Sequence, residues 1–140
     1  MAGNIQLEIV TPEKSVIDEQ VQIVISPGTL GDFGVLIGHT PFMTTLRTGA
    51  VGYTDLEGEE RVVFVAGGFA EALPDKVTVL AETAERRRDI DIERATLAKE
   101  RAEKRLETDK YSSENIDFHR AKAALERALL RIKIAETRGR

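Results

Sequence analysis

The sequence predicts an α+β protein in which a β-domain, residues 1–84, is followed by a linker and an antiparallel helical hairpin, residues 85–140. Two observations predict this division. Before residue 85, short alternating apolar runs are separated by turn residues, which is typical of half-buried strands. After residue 85, apolar residues recur at intervals of three and four, which is typical of amphipathic helices. No helical pattern precedes residue 85.

The strand pattern of the β-domain repeats about every ten residues. Turn residues at Asp55 to Gly58 and at Pro74-Asp75 predict hairpins. The pair Gly67-Gly68 interrupts a strand pattern, which predicts a bulge or a close backbone contact. About eight to ten short strands of this kind are typical of an antiparallel sandwich or a barrel. The expected strands are residues 5–9, 15–17, 21–26, 35–37, 42–46, 49–54, 61–66, 69–73 and 76–81.

Glycines at positions 28, 31 and 34 resemble a phosphate-binding loop by their spacing alone. Such a loop needs a helix N-terminus directly after it. Here the glycines lead into Val35-Leu36-Ile37, which predicts another strand. We therefore interpret them as turn glycines, since glycine tolerates the backbone angles of tight turns.

His39 is the only histidine of the β-domain. It lies in Gly38-His39-Thr40-Pro41, a predicted turn. Thr40 precedes the proline and is therefore expected to be extended and to lead into the next strand. A metal or catalytic role would need partners, and the other histidine, His119, is far away in sequence. We expect no metal site, and we expect His39 to hydrogen-bond the turn backbone.

The helical part starts after a charged linker, Glu85 to Asp89. Asp91 is the expected N-cap of a first helix that runs to about Lys110. After a loop over residues 111–115, Asp117 is the expected cap of a second helix that ends near Arg138-Gly139. Two helices joined by a short loop must lie antiparallel. The expected facing residues are Ala95, Ala98, Ala102 and Leu106 in the first helix and Phe118, Ala121, Ala124, Leu125, Ala128 and Ile132 in the second.

This predicted seam consists mainly of alanine. Small side chains let the axes approach closely, but each of them buries little apolar area, at about 25 cal/mol per Å². We therefore expect the hairpin to be the mobile part of the chain, dependent on the β-domain, a ligand or a partner to stay folded.

Charge is divided in the same way as secondary structure. Residues 1–84 carry 4 Lys/Arg and 12 Asp/Glu, a net of −8, and residues 85–140 carry 16 and 12, a net of +4, which together give the −4 of the whole chain. A basic tail can indicate nucleic-acid binding. Here acidic residues are interleaved with the basic ones, which favours solvated helix faces and argues against a nucleic-acid partner.

Composition excludes several other classes. The chain has no cysteine, so it has no disulfide, no thiolate metal site and no cysteine nucleophile. Its start lacks the features of a signal peptide, and no apolar stretch approaches the roughly 18 residues that span a bilayer. We expect a soluble protein, or one peripheral to a larger assembly, without direct membrane insertion.

Arginines form a stripe on each predicted helix. Such stripes are usually solvated surface or ion pairs, but arginine forks also match the oxygens of polyphosphates. Asp91 beside such a site could accept hydrogen bonds from a ribose or a base. Nothing nearby supplies a nucleophile, a general base or a metal-bound water, so a nucleotide would be bound and not turned over. The stripes are Arg94, Arg101 and Arg105 on the first helix and Arg120, Arg127, Arg131 and Arg138 on the second.

Several motifs, taken in order, make the whole chain resemble the epsilon subunit of bacterial-type F-type ATP synthases. They are Pro27-Gly28, Gly31-Asp32-Phe33-Gly34, Gly38-His39-Thr40-Pro41, Gly67-Gly68-Phe69, the run from Val77 to Ala84, and Asp89-Ile90-Asp91 with the alanine repeats.

The resemblance implies a ten-stranded β-sandwich and a helical hairpin in the central rotor. It implies a non-catalytic protein that binds the gamma subunit and the ring of c subunits, at the cytoplasmic face of the bacterial plasma membrane. The hairpin would extend into the alpha/beta catalytic head and hinder ATP hydrolysis. The implied gamma and c-ring contact residues are Gly31, Asp32, Phe33, His39, Thr40 and Pro41.

Some members of this family bind ATP as a regulatory ligand, and no other cofactor is implied. Their motif, Ile/Leu-Asp-x-x-Arg-Ala, is matched by the run from Ile90 to Ala95. This chain departs from the pattern of those members at two positions, because Glu93 and Glu126 place acids next to Arg94 and Arg127. By resemblance, the candidate ATP-binding residues are Glu85, Ile90, Asp91, Arg94, Ala95, Arg101, Arg127 and Arg131.

Two alternatives stay open at this point. One is an enzyme that uses the β-domain as a small-molecule site, which the lack of clustered histidines or paired carboxylates argues against. The other is a free-standing adaptor with a coiled-coil tail.

Overall fold

The computed structural model describes residues 3–108 and 116–137. The chain forms two compact units, which divide between Arg87 and Arg88. The predicted loop 111–115, the predicted ends at Lys110 and at Arg138-Gly139, and Arg138 itself lie outside the described residues.

The first unit is a nine-stranded sheet, one strand fewer than the ten that the resemblance implies. The strands are β1 (Ile5–Val10), β2 (Ser15–Gly28), β3 (Gly31–Val35), β4 (Phe42–Thr45), β5 (Gly49–Asp55), β6 (Glu60–Ala66), β7 (Phe69–Leu73), β8 (Lys76–Leu80) and β9 (Thr83–Arg86).

The sheet folds over on itself as a sandwich. Its strand order is β4-β7-β8-β1-β2-β5-β6-β9, with β3 paired to β2. Strand β2 is 14 residues long and belongs to both halves of the sheet. Its first half pairs with β1 and its second half with β3 and β5, with a register shift after Val21.

One hydrophobic core lies between the folded halves of the sheet. Alternate residues of β1 point into it, so that Ile5, Leu7 and Ile9 are fully buried. Val79 of β8 and Val63 of β6 belong to the same cluster, although their strands lie far apart in the strand order. The predicted sandwich is therefore confirmed.

The sandwich is not wholly antiparallel. Strand β1 pairs with β8 in parallel, with Leu7 opposite Val77. The expectation of an antiparallel domain is wrong for this pair and right for the other strand pairs that the structure describes. A local turn can join only antiparallel neighbours, whereas this parallel pair joins the first strand to the eighth.

Three strand predictions are corrected. The segments 15–17 and 21–26 are one strand, because the polar residues 18–20 are exposed while their backbones still pair with β1. Of the predicted strand 35–37, only Val35 lies in a strand, and the preceding residues, Gly31 to Gly34, form the rest of β3. Strand β9 was not expected at all.

Part of the predicted linker is sheet. Strand β9 pairs with β6, with Glu85 opposite Phe64. The guanidinium of Arg86 donates to the carbonyl oxygen of Val16 from Nε at 3.1 Å and from Nη2 at 2.9 Å. These long-range bonds hold a charged segment in the sheet, and a 3-10 turn, Arg87–Asp89, follows it.

The second unit contains two helices, α1 (Ile92–Thr108) and α2 (Ile116–Glu136), which pack against each other. Asp91 caps α1 as predicted, because its Oδ1 atom accepts the backbone N–H of Arg94 at 3.0 Å. The prediction that Asp117 caps the second helix is wrong, since α2 begins at Ile116 and Asp117 lies in its first turn. Neither helix is long and apolar enough, over its described residues, to cross a membrane.

Alanines dominate the buried positions of the two helices. Ala95 and Ala102 are the buried residues of α1, and Ala121 and Ala128 are buried in α2. Ile134 is the one large apolar side chain buried among the described residues of either helix. The predicted alanine seam is confirmed at these four positions.

Candidate functional site

The first candidate surface lies around the β2–β3 hairpin. Gly28 pairs with Gly31 and closes a turn over Thr29 and Leu30. A Cβ atom on Gly28 would lie 2.7 Å from the carbonyl oxygen of Gly31, and Gly31 itself has a φ of 133°. Both positions therefore require glycine, and the interpretation as turn glycines is confirmed for Gly28 and Gly31. It is wrong for Gly34, which lies within β3, in its pairing with β2.

Aromatic contacts join the two groups of predicted contact residues. Gly31, Asp32 and Phe33 lie in β3, whereas residues 39–41 lie between β3 and β4. Phe42 connects them, because its ring centroid is 5.1 Å from that of Phe33 and 6.5 Å from that of His39.

His39 has the structural role that its turn predicts. Its Nδ1 atom lies 2.6 Å from the carbonyl oxygen of Thr40. Within the described part of the chain, no group of three or more His, Asp or Glu residues is placed to hold a metal ion.

Large apolar side chains are exposed around this hairpin. Leu30 is 97% exposed and Met43 is 60% exposed. Exposed apolar side chains that are close together mark interaction sites more often than scattered ones do. The exposed members between residues 30 and 43 are Leu30, Leu36, Ile37, Phe42 and Met43.

The second candidate surface is the helical hairpin, where much of the ATP-motif match has a structural explanation. Ile90 and Ala95 are buried. Asp91 caps α1 through its side chain, and its carbonyl oxygen accepts the N–H of Ala95 at 3.0 Å. Arg94 is exposed, and no ion pair of its guanidinium is found among residues 3–108 and 116–137. It is therefore the motif residue for which folding alone gives no reason.

The candidate arginines lie at different distances from the helix ends next to the connection. With a rise of about 1.5 Å per residue, Arg94 lies about 21 Å from the end of α1, and Arg127 and Arg131 lie about 17 and 23 Å from the start of α2. Arg101 lies about 11 Å from the end of α1 by the same rise. Arg127 and Arg131 are partly buried, whereas Arg94 and Arg101 are exposed. Arg94 is thus about as far from the end of α1 as Arg127 and Arg131 are from the start of α2, whereas Arg101 lies nearer the connection.

Glu85 differs from the other candidate ATP residues. It is partly buried in β9 and belongs to the sandwich unit, which ends at Arg87. The remaining candidates belong to the unit that starts at Arg88.

A basic cleft that sequence analysis did not single out lies near the connection between the helices. Its volume is about 430 Å³. The cleft contains none of the candidate ATP residues, and only the arginine stripes hinted at it. It is lined by Lys104, Arg105, Thr108, Asp117 and Arg120.

The clearest electrostatic perturbations belong to structural groups of the sandwich. The backbone N–H of Glu59 lowers the pKa of the Asp55 carboxyl, and Arg61, 3.1 Å away, adds to this shift. Burial raises the pKa of the Tyr53 phenol, and a hydrogen bond with Glu19 raises it further. These groups organise the β5–β6 turn and the adjoining strands, and they do not mark a catalytic site.

Two family matches cover nearly all of the chain. Residues 4–87 match the family described as ATP synthase, Delta/Epsilon chain, beta-sandwich domain. Residues 88–136 match the long alpha-helix domain of the same chain. The chain belongs to the ATP synthase delta/epsilon family. Its two family domains meet at residues 87 and 88, where the structure also divides.

Curated relatives of this family are epsilon chains. The ATP synthase epsilon chain of Desulforapulum autotrophicum is 57% identical over 99% of this chain and 100% of that one. The epsilon chain of Desulfatibacillum aliphaticivorans is 60% identical over 84% of this chain and 82% of its own length. The expectation of an ATP synthase epsilon subunit is confirmed, and this finding argues against a free-standing adaptor.

Solved structures share the fold at low sequence identity. A chain of the Euglena gracilis mitochondrial ATP synthase, in a structure of OSCP, F1 and c-ring, aligns with a TM-score of 0.67 and 21% identity, covering 95% of this chain and 78% of that one. A chain from the Tetrahymena thermophila central stalk and c-ring aligns with a TM-score of 0.57 and 11% identity, covering 96% and 98%. This ATP synthase subunit therefore has the fold of chains that assemble with other subunits of the complex.

Proposed function

We propose that this epsilon chain is a non-catalytic subunit of the central rotor, peripheral at the cytoplasmic face of the bacterial plasma membrane. The sandwich connects the gamma subunit to the c-ring. The exposed apolar side chains between residues 30 and 43 support this role, because they fall in the same stretch of the chain as the candidate contact residues. One of them, Phe42, contacts both Phe33 and His39. The stalk and c-ring context of the structural neighbours is in keeping with it.

The helical hairpin is the regulatory part in this proposal. ATP bridges the two helices through the candidate arginines and stabilises the compact hairpin. When ATP is scarce, the hairpin extends along gamma, its basic faces meet acidic surface in the alpha/beta head, and it hinders ATP hydrolysis. A ligand at a hundredfold excess over its Kd stabilises the form that it binds by about 2.7 kcal/mol.

The placement of Arg94 carries the ATP proposal. Its backbone N–H is fixed by the Asp91 cap, and its side chain is exposed. By helix rise it lies about as far from the end of α1 as Arg127 and Arg131 lie from the start of α2. Two helices thus present guanidinium groups beside a narrow alanine seam. Guanidinium forks bind phosphate oxygens two at a time, which suits a triphosphate.

Isothermal titration of ATP into the full-length chain tests the ATP site. We expect Arg94→Ala and Arg127→Ala each to raise the Kd by about tenfold, because each removes a charge-assisted hydrogen bond. Lys133→Ala is the matched control, since Lys133 is an exposed cation on another face of α2. Unchanged affinity in both arginine variants would show that the proposed site is wrong.

Two further measurements test the rest of the proposal. We expect no ATP turnover by the isolated chain, because the carboxylate of Asp91 is engaged as the cap of α1, and the candidate arginines supply neither a nucleophile nor a general base. We expect the chain to co-purify with gamma and the c-ring from solubilised membranes. Turnover would contradict the non-catalytic role, and a failure to co-purify would contradict the rotor role.

A further inference from the structure

The last strand of the sandwich is short and lies at one end of the strand order. Strand β9 has four residues, Thr83–Arg86, and its one partner in the sheet that the structure describes is β6. Ala84 is the residue of this strand that is buried in the core. Short edge segments with few buried contacts open locally at little cost in free energy. The end of β9 therefore depends on a further contact to stay in the sheet.

Arg86 supplies that contact at the last position of the strand. Its Nε atom donates to the carbonyl oxygen of Val16 at 3.1 Å, and its Nη2 atom donates to the same oxygen at 2.9 Å. Both bonds are partly buried, and they join residues that are 70 positions apart. Hydrogen bonds from a charged donor are stronger than those between neutral groups. The guanidinium thus ties the end of β9 to β2, from which β5 and β6 separate it in the strand order.

The carbonyl group of Val16 is left over by a bulge in β2. The register of β1 and β2 shifts between Ile9 and Val10, and Val16 is the residue that it leaves without an opposite residue. The extra residue of a bulge is left out of the ladder. Val16 is also buried, and a buried carbonyl without a donor costs free energy. Arg86 therefore satisfies an acceptor that the ladder does not use.

The connection to the helices begins directly after Arg86. A 3-10 turn, Arg87–Asp89, follows β9, and the second compact unit starts at Arg88. If β9 left the sheet, its four residues would join the connection. The connection would then be longer by about 13 Å, at about 3.3 Å per extended residue. The bonds from Arg86 thus determine where the sandwich ends and how long the connection is.

We propose that Arg86 is the positioning residue that sets the pivot of the hairpin. Through the carbonyl oxygen of Val16 it keeps β9 in the sheet, so that the hairpin moves about the residues after Arg86 and Glu85 stays with the sandwich. This inference rests on the proposed regulatory function, in which the hairpin extends when ATP is scarce. A short connection of defined length limits the positions that the moving hairpin can reach.

Hydrogen exchange of the full-length chain, followed by mass spectrometry, tests whether Arg86 holds β9. We expect Arg86→Gln to speed exchange over residues 83–86 by about tenfold, because two charge-assisted hydrogen bonds are lost. Exchange over residues 69–80, which include β7 and β8 at the other end of the strand order, should keep the wild-type rate. Equal acceleration of both segments would show that Arg86 only stabilises the whole domain, and it would overturn the positioning role.

Two further variants control for charge and for folding. Arg88→Gln removes a nearby charge of the same sign from an exposed side chain, and residues 83–86 should then exchange as in the wild type. Arg86→Lys keeps the charge but lacks the planar fork that donates twice to one oxygen, so its exchange rate should lie between those of the wild type and Arg86→Gln. If circular dichroism shows Arg86→Gln to be misfolded, Arg86→Lys decides, and exchange at the wild-type rate in that variant overturns the inference.

Exchange with and without ATP locates the pivot. In the wild type, removal of ATP should speed exchange in the two helices, while residues 83–86 keep their rate. In Arg86→Gln the acceleration should extend back to residue 83. If residues 83–86 of the wild type accelerate together with the helices, or if Arg86→Gln exchanges like the wild type, the inference is overturned and the regulatory proposal stands. If the wild-type helices exchange alike with and without ATP, the regulatory proposal fails, and the pivot fails with it even where Arg86→Gln releases β9.

Discussion

The sandwich and the helical hairpin are built from different kinds of contact. The sandwich buries large side chains, such as Leu7 and Ile9, between strands that are distant in sequence. The hairpin buries chiefly alanines between two helices that are neighbours in sequence. Because apolar stabilisation grows with the area removed from water, each hairpin contact contributes less. One unit can thus serve as a rigid base and the other as the part that responds to a ligand.

The largest expected effect is at Gly68 in the sandwich. A Cβ atom there would overlap the carbonyl oxygen of Leu80 and lie 2.8 Å from Cα of Ala81, and Gly68 has a φ of 103°. We expect Gly68→Ala to lower the free energy of unfolding by about 4 kcal/mol, from strain and overpacking together. Urea denaturation measures this change.

Gly58 is the matched control for Gly68. Its φ is also positive, at 85°, but no atom lies within 4 Å of the Cβ position. Gly58→Ala should therefore cost only the backbone strain, about 1–2 kcal/mol. Equal costs at the two positions would show that the close contact of Gly68 is unimportant.

The next effect compares the two cores directly. Leu7→Ala leaves a cavity among fully buried side chains and should cost about 3 kcal/mol. Ala128→Gly, at the buried seam of α2, should cost about 1 kcal/mol, mainly through helix propensity. Urea denaturation followed by circular dichroism measures both. A larger loss at Ala128 than at Leu7 would reverse the contrast between the two units.

A smaller effect is expected at the start of α1. Asp91→Ala removes the side-chain acceptor for the N–H of Arg94. It should lower the free energy of unfolding by about 1 kcal/mol, with fraying confined to the start of α1. Asp117→Ala should cost about 0.5 kcal/mol, because Asp117 lies in the first turn of α2 and acts through the helix dipole. Hydrogen exchange of the first-turn amides distinguishes the two.

The smallest effect is a pH dependence in the sandwich. Burial raises the pKa of Tyr53 above its ordinary value of about 10. The neutral phenol therefore contributes stability below pH 10 that is lost as the pH rises through the folded pKa. Tyr53→Phe should be less stable at neutral pH by about 1 kcal/mol, because it loses the hydrogen bond with Glu19.

Denaturation from pH 7 to pH 11 checks this expectation. The difference in stability between the wild type and Tyr53→Phe should narrow as the pH rises above 10, since only the wild type can ionise at this position. A constant difference across the range would show that the phenol is not perturbed by burial.

Local chemistry made the hairpin and many turns predictable from sequence. The cap at Asp91 and the turn at His39 depend on residues close by in the chain, and the structure confirms both. The alanine spacing likewise predicted the buried positions Ala95 and Ala102. The misplaced cap at Asp117 shows the limit, because the exact first residue of a helix depends on more than the nearest good capping residue.

Long-range pairing made other features unpredictable. Strand β9 looked like a linker because of Glu85 and Arg86, yet pairing with β6 and the bonds from Arg86 to Val16 hold it in the sheet. Pairing across β2 depends on the backbone, so a polar segment did not end the strand. The same limit applies to the β2–β3 turn, where bonds from Arg47 join residues that no local pattern connects.

The parallel pair of β1 and β8 has a consequence for how the protein is made. During synthesis, strand β1 can pair with β2 at once, but its other edge stays unpaired until residues 76–80 have been synthesised. Contacts of such sequence separation form slowly, and an open strand edge can pair with other chains in the meantime. The free edge of β1 is thus the segment most exposed to wrong pairing during synthesis. The two helices are adjacent in sequence, so each can pack against the other soon after both have been synthesised.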